Sequence, residues 1–183
     1  MRKLKIDPRF YVLLAALIFL LPLKWLAAWC VAACLHELFH FAVVKLCRGK
    51  IRIFSLNLGG ADMECTDLSD KAYLFSVLAG PLGGFVLVLL GRWFPRLAIC
   101  SWLLSVYNLL PILPLDGGQA FRIMLKNDNA FSVLQKIMLF IISILAAYLC
   151  LVVKLGPLPM VIAISLLIKN RKIPCKETKW GVQ

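Results

Sequence analysis

The chain has two histidines, and both lie in the run His36-Glu37-Leu38-Phe39-His40. Residues four apart on an α-helix sit one above the other on the same face. Two imidazoles stacked in this way can grip one zinc ion. Glu37 between them is placed to act as a base on a water bound to that ion. The pattern is H-E-x-x-H, and it stands inside an apolar run, where ionisable groups are costly and mark function by default.

A catalytic zinc site takes three protein ligands and leaves one position open. Of the nine acidic residues, Asp7, Asp62, Glu64, Asp67, Asp70, Asp128 and Glu177 fall in loops or tails. Glu37 lies within an apolar span and Asp116 at the end of another. Asp116 therefore completes a set of His36, His40 and Asp116 as metal ligands, with Glu37 left as the base. The stretch from Asn108 to Gly118 contains Pro111, Pro114, Gly117 and Gly118 and cannot be a regular helix. Irregular backbone at membrane depth is tolerated where it lines a cavity or is buried in protein. Asn108 would then stand beside the cavity, able to hydrogen-bond a peptide backbone. The plainer alternative is a helix-breaking loop with a capping aspartate.

The elements that must position these groups are membrane spans. The chain of 183 residues is 62% hydrophobic with mean hydropathy +0.88, against about 45–50% apolar for soluble domains. The formal charge of +12 would suggest nucleic acid in a soluble protein. Here the basic residues cluster at the ends of apolar runs and read as topology signals and lipid-headgroup contacts, with no nucleic-acid partner. The seven cysteines form no C-x-x-C pair and read as small hydrophobes. The basic, apolar N-terminus resembles a signal peptide, but the apolar run continues into the motif, so an uncleaved first span is expected.

About six spans can be drawn: Phe10–Leu23, Trp25–Cys47, Ala72–Leu90, and about Leu97–Leu115, Val133–Val153 and Leu158–Ile168. With the N-terminus in the cytoplasm, only Lys24, Arg92, Arg96 and Lys154 among the lysines and arginines fall outside. Both termini are then cytoplasmic. His36 lies about 16 Å and His40 about 22 Å from the outer boundary of a core about 30 Å thick, so the site is nearer the cytoplasmic face. Between the second and third spans, Lys50–Asp70 is too polar to cross. Its partial alternation and Gly59-Gly60 suggest a hairpin, equally readable as an edge for an extended peptide or as a connecting loop. Gly80 and Gly84 make G-x-x-x-G in the third span and read as packing. The expected fold is an all-α polytopic membrane protein of about six transmembrane helices, with a small β-hairpin at the membrane surface. Residues 1–168 form a single transmembrane domain and 169–183 a short basic cytoplasmic tail.

His36-Glu37-Leu38-Phe39-His40 and the run Asn108 to Gly117, which meets N-x-x-P-x-x-P-x-D-G, together resemble the site-2 protease family of intramembrane zinc metalloproteases. Ala79-Gly80-Pro81 looks like the family's third-span signature. The chain departs at Gly84, where many members carry asparagine. The second motif is most similar to the sporulation stage IV FB-type branch, whose known example processes a membrane-associated pro-sigma factor. The resemblance implies one Zn²⁺ per chain and a metalloendopeptidase acting in or near the transmembrane segment of a single-span or membrane-associated protein. A pro-sigma or anti-sigma factor is the kind of substrate implied. The hairpin would hold the substrate extended by strand addition. Neither a CBS domain nor a PDZ insert fits the length, so regulation would fall to the membrane core or to another membrane protein. The reading from a different class is a catalytically inactive metal-binding scaffold or pseudoprotease. A scaffold needs the ligands alone, and the retained Glu37 favours catalysis.

Overall fold

Leu23–Leu46 forms a 24-residue helix, α1, which carries the histidine motif. It is apolar on all sides, and its buried positions, Ala32, His36, His40 and Val44, recur every four residues along one stripe. Val31, Leu38 and Leu46 are exposed, as suits a face against lipid. The polar pair thus sits on the interior stripe, where a membrane helix keeps its ionisable groups. The helix ends in a Schellman pattern. Arg48 takes the left-handed conformation, Arg48 N–H donates to Lys45 O, and Gly49 N–H donates to Val44 O at 2.8 Å.

The computed structural model describes residues 3–6, 22–57 and 60–151, together with residues 11, 15, 18, 160, 163, 164, 166 and 167. Most of the predicted first and last spans and the tail at 169–183 lie outside the described residues. In chain order, the remaining elements are β1 (Lys3–Ile6), preceding α1, then β2 (Lys50–Asn57), β3 (Gly60–Thr66) and α2 (Asp70–Val88). After these come α3 (Pro95–Asn108), α4 (Asp116–Leu125) and α5 (Asp128–Leu151). Among the described residues, three helices are long and apolar enough to cross a membrane: α1, α2 with its 3₁₀ extension to Arg92, and α5. The chain is built as a membrane protein, and two compact units divide it between Tyr107 and Asn108.

In the first unit, Ser69 caps α2 by accepting from Ala72 N–H at 3.3 Å, and Asp70 occupies the first turn, where a carboxylate suits the helix dipole. Pro81 lies inside α2, and Gly80, Pro81, Gly83 and Gly84 are all buried. Strands β2 and β3 pair antiparallel, with an irregularity between Ile51 and Ile53. Strand β1 adds to β2 in parallel, with Lys3 opposite Ile53 and Ile6 opposite Leu56, giving the order β1-β2-β3. The pairing of β1 is absent from the sequence expectations, because it joins segments far apart in the chain and leaves no local signature.

The predicted fourth span, Leu97–Leu115, is not one helix. The helical part, α3, has 14 residues, about 21 Å, which falls short of a core about 30 Å thick. In the second unit the chain runs irregularly from Leu109 to Leu115. Asp116 then opens α4 where the expectation had it closing a span. The two glycines serve close approach. A Cβ on Gly117 would overlap the Leu109 carbonyl and come 2.7 Å from Leu110 O, and one on Gly118 would come 2.5 Å from Ile112 O. Gln119 Nε2 donates to Pro114 O at 3.1 Å and ties the loop to the helix it precedes. Lys126, left-handed, ends α4. Asn127 Oδ1 then caps α5 by accepting from Asn129 and Ala130 N–H at 3.0 and 3.2 Å.

Because backbone blocks it, Gly117→Ala is expected to lower stability by about 1–3 kcal/mol. Gly91→Ala, whose methyl meets only Ala98 Cβ at 3.4 Å, should be close to neutral. Thermal melts of the two variants in detergent compare them directly.

Candidate metal centre

The imidazoles of His36 and His40 meet as the i, i+4 spacing requires. Their Nε2 atoms are 3.2 Å apart, the ring centroids 4.8 Å, and the planes cross at 83°. The residues are 4% and 8% exposed. His40 Nδ1 lies 2.7 Å from the Ser76 carbonyl of α2. A carbonyl only accepts, so Nδ1 carries the proton. In the neutral ring Nε2 is then left with its lone pair directed at His36. This is the arrangement of a metal-ligating histidine, whose second nitrogen is held by a carbonyl or carboxylate.

Two tests of fit to a zinc ion rest on this geometry. Two nitrogens at about 2.0–2.1 Å from a tetrahedral ion stand about 3.3 Å apart, close to the 3.2 Å observed. The second is Gly80. A Cβ there would overlap His40 Nε2 and come 2.8 Å from His36 Nε2. The two Nε2 atoms therefore border a space that one methyl group would invade. Nitrogen donors, spacing and cradle all suit zinc.

The sequence assigned Gly80 to packing alone. Packing is right for its neighbours. A Cβ on Gly83 would strike the Phe39 ring, and one on Gly84 the Ser105 hydroxyl. Gly80 differs because the atoms it makes room for are the Nε2 nitrogens of the histidine pair. Ser76 was missed altogether, since it acts through its backbone. Its side chain is occupied separately, donating to Tyr73 O at 2.7 Å. Pro81 removes one donor from the α2 ladder a turn beyond Ser76 and can kink the helix there.

Glu37 follows His36 on α1 and is half-buried. Asn108 ends α3 and Asp116 begins α4. Both belong to the second unit and both are half-buried. Asp116 stands in the first turn of its helix.

No family model matches the chain. A zinc metalloprotease from Methanocaldococcus jannaschii is 30% identical over 55% of this chain. The chain spans about a third of that relative's length, 34%. A solved site-2 protease from the same organism superposes with a TM-score of 0.67 at 21% identity, covering 98% of this chain and 95% of the other. This chain has the site-2 protease fold. The fold match covers both units, so the H-E-x-x-H helix and the Asn108–Gly118 segment both fall within the matched architecture.

Gly80→Ala is expected to cut zinc retained after purification at least about tenfold, the scale of losing a group that supports metal ligands. Ser76→Ala should retain zinc fully, because the acceptor for His40 is backbone. Elemental analysis of both variants beside wild type is the check.

Proposed function

We propose that this protein is an intramembrane zinc metalloprotease. Its substrate is a single-span or membrane-associated protein, of the kind of a pro-sigma or anti-sigma factor, cut in or near its transmembrane segment. The observation that carries the reading is the buried imidazole pair, with its proton held on His40 Nδ1 and its two Nε2 atoms 3.2 Å apart beside a glycine. The site-2 protease fold and the similarity to a zinc metalloprotease support it.

In this reading His36, His40 and Asp116 hold one zinc ion per chain. Zinc, when bound, supplies Lewis acidity and a water acidic enough to be deprotonated near neutral pH. Glu37 takes the proton from the attacking water and returns it to the leaving amine. Asn108 hydrogen-bonds the substrate backbone and holds the scissile peptide extended, since a helix hides its carbonyl. The β1-β2-β3 sheet offers an edge for that extended segment. Both termini lie in the cytoplasm with the site nearer that face, and regulation comes from a partner membrane protein. A metal-holding scaffold would need the ligands and have no use for Glu37.

Glu37→Gln in purified micelles is expected to keep stoichiometric zinc and to lose about 10²–10⁴-fold in cleavage of single-span substrates, the usual contribution of a general acid–base. Cleavage by the variant at the wild-type rate would remove Glu37 from the chemistry and with it this mechanism.

A further inference from the structure

Helix α3 passes α2 at Gly84, and two serines mark the crossing. Ser101 and Ser105 are four residues apart on α3 and are 1% and 0% exposed. Neither hydroxyl has a hydrogen-bond partner among the described residues. Other helical serines of the chain, Ser76 on α2 and Ser143 on α5, behave differently. Ser76 and Ser143 donate to carbonyls of their own helices, Tyr73 O and Leu139 O, both at 2.7 Å. That is the ordinary way for a helical serine to satisfy itself in an apolar setting. Ser101 and Ser105 forgo it. The Ser105 hydroxyl instead faces Gly84, where a Cβ would overlap it, and the Ser101 carbonyl lies 3.3 Å from the same point.

Close helix approach alone does not account for this. Alanine at both positions would permit the same crossing without burying two hydroxyls, and buried hydroxyls without partners are destabilising. Protein interiors resolve such groups with ordered water, which needs two to four polar partners. Two hydroxyls and the free lone pair of the Ser101 carbonyl supply three.

We propose that Ser101 and Ser105 bind an internal water molecule at the crossing of α2 and α3. The site is set close to the imidazoles by α2 itself. Gly84 follows Gly80 by one turn, about 6 Å along the helix, and Gly80 is the residue against the two Nε2 atoms. The water is a reserve of the second substrate of hydrolysis, kept inside a bundle whose outer faces are apolar. Binding of the water stands on the serines alone. Its use as a reserve rests on the hydrolase reading.

The test is a structure of the full chain at a resolution that shows waters, for wild type and for S101A/S105A, with cleavage and zinc content measured on the same preparations. Expected are one ordered water within hydrogen-bond reach of both hydroxyls in wild type, none in the double variant, and a fall of about three- to tenfold in cleavage with zinc content unchanged. Wild-type density decides the binding site even where the double variant does not accumulate. Absence of water there, with a raised melting temperature for S101A/S105A, would show the hydroxyls to be unpartnered and overturn the site. Water present in wild type and lost in the variant, while neither chain cuts any peptide, would uphold the binding site and defeat the hydrolase reading. Water lost with cleavage unchanged would overturn the reserve role.

Discussion

The hydrogen bond from His40 Nδ1 to the Ser76 carbonyl, 2.7 Å long, is the contact on which the site's chemistry depends. It crosses from α1 to α2 and fixes the tautomer of the ring that makes it. With the proton committed to Nδ1, the other nitrogen is an acceptor aimed at His36. Without that contact the ring could rotate or change tautomer, and the two Nε2 atoms would have no reason to converge. A backbone carbonyl suits this role in an apolar bundle. It cannot titrate, and its position is set by the helix rather than by a rotamer.

Space at the site comes from small residues on α2. Gly80, Gly83 and Gly84 let the imidazoles, the Phe39 ring and the Ser105 hydroxyl approach the helix backbone directly. Between membrane helices, where lipid is as apolar as any side chain, such close packing is a main source of association. In this chain the same stripe does two things. At Gly83 it seats a neighbouring side chain, and at Gly80 it leaves room for the two imidazole Nε2 atoms.

Much of this was readable from residues. The i, i+4 histidines, the glutamate between them and the Asn108–Gly118 breakers carry signals that act locally, through helix periodicity and through missing donors. What could not be read depends on partners distant in sequence. Strand β1 pairs with residues about fifty positions away, and four residues of strand have no pattern of their own. Gly80 reads as one more small residue until the neighbour facing it is known. Asp116 was placed at the end of a span because its two glycines look like a turn. The glycines instead let the preceding loop lie against the first turn of α4, so the aspartate begins a helix.

The central claim is that the imidazole pair holds zinc. Zinc K-edge X-ray absorption on the purified protein tests it most directly. The account predicts a first shell of nitrogen and oxygen at about 2.0–2.1 Å with the outer-shell scattering of two imidazoles. A shell dominated by sulfur at about 2.3 Å would assign the metal to the cysteines and contradict it, as would purified protein without bound zinc.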